Sequence, residues 1–536
     1  MTTMTEMTRR TIAFFAFLAG SALCAAAQSL NVGESSRHTL EMVVPDTLMR
    51  VDYKFDYLVL DSPYKGAYEF SPYKVKISPL TTDYASRKLY LRAGAGYSLH
   101  PELDVVFSPL KKSDFSLSAF GTLRGFLGSY EQGAGHEIYD NAGIECRVDY
   151  KKGSFTFQAG HDGVYATGNR LLSGTFYNSA YARLHARSSG SESSSAFYDL
   201  TALYRFGTDT GISSDTGDKG VFNEHAFLLD GTIGPVLQTS LRFLVDAHIE
   251  ILNRTGFLTA SQTLLGVCPK VEFSVGPVDI SAGVRANYYN SVHICPDVHA
   301  RFDIGRGGLC LYADLDGGDA LNSYHSLKSD NHFLVGTQDM FGCTVTRYDA
   351  RLGLNGHFGT RFQYDLGAGF ASRGSVPMTS LYYVSEYPVE DIVYRDFHLL
   401  HADLKVSWHS ERFDADGSLS VRKTSFKDTG EGEVEEPGCF NLPMLEGDVR
   451  LRYNSNGRLF VGTWLRACSE REAVGSLHSA EPIPGYVDLG VFAQWSVARN
   501  MMVWVQGGNL LCNRIAKSAL YYEKSPSATA GITLNL

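Results

Sequence analysis

From about Leu89 to Leu536 the chain is written in short runs in which apolar and polar residues alternate with a period of two. Ala142, Ile144, Cys146, Val148 and Tyr150 interleave with Gly143, Glu145, Arg147 and Asp149. On a strand, that period places the first set on one face and the second on the other. Val267, Pro269, Val271, Phe273 and Val275 stand opposite Lys270 and Glu272 in the same way. Leu241, Phe243, Val245, Ala247, Ile249 and Ile251 oppose Arg242, Asp246, His248 and Glu250. An Arg or Lys turned into the middle of a bilayer costs about 2–4 kcal/mol. Such strands turn apolar faces to lipid and charged faces to a watery lumen, which predicts an all-β, transmembrane antiparallel β-barrel.

The runs give about 22 strands, within a range of about 18–22, and closure of a single-chain barrel asks for an even number. They begin with 88–98, 102–110 and 114–125 and end with 484–496, 500–508 and 526–536. Turn formers cluster at 151–154, 234–236, 305–308, 409–412, 454–457 and 497–500, where tight turns are predicted. Long polar loops are predicted at 318–344, 372–394, 424–443 and 469–483. Short turns and the termini then face the periplasm, and long loops face outward. Tyr150, Tyr288, Trp408, Tyr453, Tyr486 and Trp495 lie near strand ends, where an aromatic girdle belongs.

The N-terminus sets the compartment. Arg9 and Arg10 precede an apolar stretch over 11–23, too short to span a bilayer, and Ala25, Ala26 and Ala27 offer small residues before a cut ahead of Gln28. Residues 1–27 thus read as a cleavable signal peptide. A lipoprotein reading through Cys24 meets the bulky Leu23 where a small residue is wanted. The formal charge of −10 argues against a nucleic-acid partner. One of the 9 cysteines, Cys24, lies in the leader, and the rest follow no CxxC spacing. Cys146 reads as filler in an apolar row, whereas Cys343, Cys439 and Cys512 fall in predicted outer loops and are the better bridge formers.

Several segments carry a family resemblance. Residues 485–491 (GYVDLGV) and 499–511 (RNMMVWVQGGNLL), then Tyr521, Tyr522, Pro526 and a last strand with Ala528, Ala530, Ile532, Leu534 and Leu536, resemble the closing strands of TonB-dependent receptor barrels. Residues 63–70 (PYKGAYEF), 312–318 (YADLDGG) with Asn322 and Ser323, and Leu442-Pro443 ahead of Leu451-Arg452-Tyr453 resemble a TonB-dependent receptor-like group of Bacteroidetes type. The chain departs from that pattern at Leu536, where such barrels commonly end in an aromatic. The resemblance implies a Gram-negative outer-membrane location, with lipid including lipopolysaccharide and the barrel-assembly machinery as partners.

Members of that family fill the lumen with an N-terminal plug domain much longer than residues 28–87, so the segment is read as having no plug. Thr39, Leu40, Glu41, Met42, Val43 and Val44 resemble the box that binds TonB, yet a pull without a plug has nothing to displace, which argues against coupling. Pro45, Pro63, Pro72 and Pro79, and the tetrapeptide SPYK at both 62–65 and 71–74, predict an extended periplasmic or lumenal segment over 28–87.

No GxSxG elbow, HExxH helix or phosphate-cradling glycine loop is present in a suitable context, so the chain reads as no enzyme and as needing no cofactor. His185 and His248 sit in charged rows and read as wall residues. Asp209, Asp215 and Asp218, and the Glu431, Glu433, Glu435, Glu436 group, read as solvated loop carboxylates with no metal. Arg92, Arg147, Arg183, Arg205, Arg242, Glu250, Lys270, Glu272 and Arg285 are the candidates for lining the lumen and setting selectivity. Two functions follow: a pore or transport channel for small solutes, or a non-conducting scaffold that binds an envelope protein partner through its loops or N-terminal segment. A secreted propeller or solenoid would need a long repeat, and none is found.

Overall fold

The computed structural model describes residues 88–536 except 98–99, 112–113, 132, 169–173, 189–195, 213–217, 239–240, 305–307, 360, 385–386, 427–441, 456, 475–479 and 499. The leader, the segment 28–87 with its TonB-box-like stretch, Asp215, Cys439 and the 431–436 glutamates lie outside the described residues.

The first barrel strands are β1 (Leu89–Tyr97), β2 (Glu102–Lys111), β3 (Phe115–Phe126), β4 (Gly133–Tyr150), β5 (Gly153–Gly168), β6 (Thr175–Ser188), β7 (Ala196–Ile212) and β8 (Lys219–Gln238). Then come β9 (Leu241–Gly256), β10 (Ala260–Val275), β11 (Val278–Tyr289), β12 (Ser291–Ile304), β13 (Leu309–Leu321), β14 (Cys343–Phe358), β15 (Phe362–Val384) and β16 (Tyr387–His409). The last are β17 (Phe413–Phe426), β18 (Leu445–Ser455), β19 (Leu459–Cys468), β20 (Tyr486–Ala498), β21 (Met501–Gly508) and β22 (Ser527–Asn535). Each pairs antiparallel with the next, and β22 closes on β1 from Tyr90↔Asn535 to Tyr97↔Ala528, making a closed barrel of 22 strands. No helix among the described residues is long and apolar enough to cross a membrane.

Alternation carries through the ring. On β9, Phe243, Val245 and Ile251 are exposed on the outer wall, while Leu244, Leu252 and Arg254 are buried on the inner one. Outward Ile144, Val267, Ile294, Leu352, Leu400 and Val505 likewise stand bare. Apolar exposure this continuous suits lipid rather than water. At the rim of short turns, Trp408 packs on Phe413 (6.2 Å between ring centres) and Phe413 on Tyr453 (5.4 Å). Tyr486 departs from the girdle reading: it is buried against Cys468 and Ile515, because its parity on β20 turns it inward.

The structure moves several sequence boundaries, three of them with a clear local cause. The predicted turn at 234–236 is continuous strand, β8 running on to Gln238. Pro235 has no N–H to donate, yet the register with β9 is the same at Arg242↔Val236 and Val245↔Ile233, and it slips only at the hairpin tip, between Leu241 and Arg242. A side chain at Gly234 would lie 1.9 Å from the Phe243 carbonyl oxygen, so only glycine permits this approach. The predicted loop at 372–394 is mostly the long β15–β16 hairpin. Its polar stretch is a bulge between Arg373 and Val376, with Ser375 at φ 50°. Finally, β12 begins at Ser291 after a reversal at Asn290 (φ 56°), a conformation that Asn tolerates.

Candidate functional site

The segment between β13 and β14 was expected to be an outer loop, but it folds back over the barrel. Ser323 starts a helix, α1 (Tyr324–Asp330), by accepting a hydrogen bond from the Ser326 N–H at 3.1 Å. A short 3-10 turn follows at Gln338–Met340. Tyr324, Leu327, Phe333, Leu334, Val335 and Met340 are buried, and apolar partners come from Val164, Tyr177, Phe222, Leu258 and Ile392. These partners lie on strands far apart in the ring, or on the loop that joins β9 to β10. A segment touching all of them lies across the mouth; residues 322–342 are a cap.

Buried charges fasten one side of it. Arg254 donates to Glu224 at 2.7 Å, to Gln262 at 3.0 Å and to the Asn322 carbonyl at 3.1 Å, and its guanidinium lies 3.7 Å over the Phe341 ring. Glu224 in turn accepts from the Tyr324 N–H at 2.9 Å. The Tyr324 hydroxyl donates to Asp209 at 2.7 Å, and Lys328 Nζ donates to the Leu334 carbonyl at 2.6 Å with Asp209 3.7 Å away. Burial pulls the Lys328 ammonium down to about 8, against the opposing pull of Asp209. Burial, reinforced by Asp209, holds the Tyr324 phenol well above its ordinary range. Asp209 is therefore not a solvated loop carboxylate: it sits buried on β7 as a socket for the cap.

The other side is tied to β4, β16 and the β21–β22 connection. Asn331 donates to Glu390 at 2.6 Å, and Glu390 also accepts from the Leu520 N–H at 2.8 Å. His332 pairs with Glu137 at 2.6 Å, and Phe333 stacks on Tyr521 at 3.9 Å. Thr337 donates to Asp391 and the Tyr394 hydroxyl to the Met340 carbonyl at 2.8 Å, while back on β7, the strand of Asp209, the Ile212 N–H donates to the Gly336 carbonyl at 2.8 Å.

Below the cap, the charged residues singled out from the sequence occupy the same wall face as Glu224 and Arg254. Arg92 meets Glu102 at 3.4 Å and lies 4.2 Å over Trp504; Arg147 pairs with Asp149 at 2.9 Å. Arg205 bonds Asp162 and, at 3.2 Å, His325 of the cap. Arg242 approaches Glu272 at 3.8 Å, Lys270 meets Asp246 at 2.9 Å and Arg285 meets Asp297 at 2.7 Å. Arg183 faces Gln158 and Leu203 across the ladder. Glu250 accepts from the Leu321 N–H at 3.2 Å, at the foot of the cap. His185 pairs with Asp199 at 2.8 Å, and His248 approaches Asp230 at 3.6 Å. These groups are spread down the wall rather than gathered in one ring, and most face a carboxylate on the same or the next strand.

Sequence reasoning missed the cap anchors Glu137, Glu224, Arg254, Lys328 and Glu390, since a buried pair between residues 30 positions apart leaves no local mark. It also missed an inward row on β12, His293, Cys295, Asp297 and His299, whose period-two spacing was legible. Cys343 and Cys512, expected to be bridge formers, are free: Cys343 is buried at the start of β14 and Cys512 is exposed.

No protein-family model and no curated protein sequence matches the chain. Solved structures do. The copper transporter OprC superposes with a TM-score of 0.63 over 86% of this chain and 84% of its own, at 12% identity. This chain has the fold of an outer-membrane β-barrel. The FrpB iron transporter from Neisseria meningitidis, apoprotein form, matches at 0.63 over 84% of this chain and 81% of its own, with 10% identity. The siderophore receptor PirA from Acinetobacter baumannii matches at 0.61 over 84% and 80%, also at 10% identity.

Proposed function

We propose that the protein is an outer-membrane conduit for small solutes, exported by the signal peptide at 1–27 and gated at its outer mouth by residues 322–342. The observation that carries this reading is the cap itself. A wide barrel with a charged inner wall encloses water, and the cap stands between that water and the outside. The family resemblance in the sequence and the barrel likeness agree with a transport role, and neither points to an enzyme. Arg92, Arg147, Arg183, Arg205, Arg242, Glu250, Lys270, Glu272 and Arg285 would set which solutes pass, as charged walls do in channels. Lipopolysaccharide-bearing lipid would surround the barrel, and assembly would run through the barrel-assembly machinery.

A scaffold reading draws on the same cap, because a sealed mouth passes nothing and offers a folded outer surface to an envelope protein. Planar-bilayer conductance separates the two. The purified protein is compared with a variant in which residues 324–340 are replaced by a short Gly-Ser linker, and with one lacking 28–80. A large steady current after cap excision supports the gated conduit. Current only after loss of 28–80 assigns the gate to the N-terminal segment. Silence in every form overturns the conduit and leaves the scaffold.

A further inference from the structure

The inward row on β12 is unlike the rest of the wall. His293, Cys295, Asp297 and His299 follow one another at about 6.7 Å spacing, two strand residues apart. Neighbouring strands add to it. Asp246 of β9 is in register with Cys268 of β10, and Cys268 Sγ lies 3.5 Å from Asp297. One ligand atom each from Asp246, Cys268 and Asp297 lie within 4.8 Å of one another. His299 Nε2 is 3.3 Å from Asp297. Two row positions from Asp297 toward the cap, His293 Nδ1 meets Asp319 at 2.7 Å. The Asp319 side chain is 0% exposed, and its second oxygen, Oδ1, has no hydrogen-bond partner among the described residues.

Charge neutralisation accounts for the two carboxylates of the node, Asp246 also accepting from the Thr232 hydroxyl at 2.6 Å, but not for the thiol between them. Lys270 and Arg285 each bind one carboxylate of the node, Asp246 and Asp297 respectively. An ion-pair network needs no thiol, nor would it leave orphaned the buried carboxylate oxygen at the separate Asp319–His293 pair. Thiol, imidazole and carboxylate together are the donors that borderline first-row ions take, rather than the all-oxygen sets of Ca²⁺ or Mg²⁺.

We infer that this wall binds a first-row divalent transition-metal cation at Asp246, Cys268 and Asp297, with Asp319 and His293 as the next stop toward the cap. The inference rests on the conduit reading and names the class of solute. On binding, the Cys268 S–H bond breaks, an S–metal bond forms and the proton leaves to lumenal water. Donors around tetrahedral zinc lie roughly 3.3–3.8 Å apart, given bonds of about 2.0–2.3 Å, so the node closes by about 1 Å. Lys270 and Arg285 then serve as outer partners that hold the two carboxylates in place.

Co²⁺ added to the purified full-length barrel is the probe. A thiolate-to-cobalt charge-transfer band in the near ultraviolet is expected, lost in Cys268→Ser and kept in Cys146→Ser, whose side chain sits in the outward row. Calorimetric Zn²⁺ titration should show affinity falling ~10-fold or more in Asp246→Asn. Heat-dependent gel migration verifies that each variant is folded. Absence of the band, or a band that survives Cys268→Ser, overturns the site. Current in the cap-excised barrel without cobalt binding keeps the conduit and rejects the metal; cobalt binding with no current does the reverse.

Discussion

Arg254 and Glu224 meet at 2.7 Å with side-chain exposures of 0% and 2%, and each also grips the cap, Arg254 through the Asn322 carbonyl and Glu224 through the Tyr324 N–H. Removing one partner leaves the other charged, buried and unpaired, at a cost of about 3–5 kcal/mol. Arg254→Met should therefore release the cap. The expected outcome is protease cleavage within 322–342 and larger bilayer currents, with barrel migration on gels unchanged. The double variant Glu224→Gln, Arg254→Met should recover part of the protection, since no charge is then stranded.

Lys328 makes docking of the cap depend on pH. Its docked value, about 8, lies below the roughly 10.5 of a solvated lysine. Between these values the docked form holds fewer protons than the released form, so docking strengthens as pH rises through that window, by at most roughly 1.4 kcal/mol per unit. Below about 8 both forms are protonated and this contribution is flat. Protease protection of the cap measured from pH 7 to 10 should rise above pH 8 and lose that rise in Lys328→Met. A falling profile would contradict the buried setting of Lys328.

The barrel was legible because its cause is local. Every strand must turn one face to lipid, so each predicted strand, from Leu89 to Leu536, has a counterpart within a few residues in most cases. Where boundaries moved, a local signal had two meanings: Pro235 marks a turn in one context and lies within a strand in another, and Ser375 a loop or a bulge. The cap was not legible. Asp209, Glu224 and Glu390 look like any polar residues until the segment that buries them is in place, and Tyr324 lies 115 positions from Asp209. The Cys343 thiol was assigned to a loop for the same reason, since the end of β14 is strand only because Leu321 pairs with it.

Outward positions should behave as lipid contacts. Val267 on β10 is 46% exposed, with Lys270 and Glu272 on the opposite face. Val267→Arg should destabilise the folded barrel by about 2–4 kcal/mol if it lies near the bilayer midplane. Ser281→Arg, on the inner face in register with Glu272, should cost far less. Reversible urea unfolding in lipid vesicles would measure both, and equal effects would argue against a lipid-facing wall.

The seam between β1 and β22 depends on glycine. A side chain at Gly531 would lie 2.1 Å from the Ala93 carbonyl oxygen and 2.4 Å from the Trp504 ring, and one at Gly94 would lie 2.3 Å from the same ring. Trp504 can lie flat in this hollow, under Arg92, because both neighbours lack a Cβ. Gly531→Val must push back either the closing strand or the indole, and overpacking of this kind costs about 1–3 kcal/mol. At Gly121 a Cβ would meet nothing within 4 Å. Gly531→Val should therefore lower the urea midpoint and the yield of heat-modifiable barrel, whereas Gly121→Ala should leave both unchanged. Equal stability of the two variants would mean that the seam does not close with Trp504 in this position.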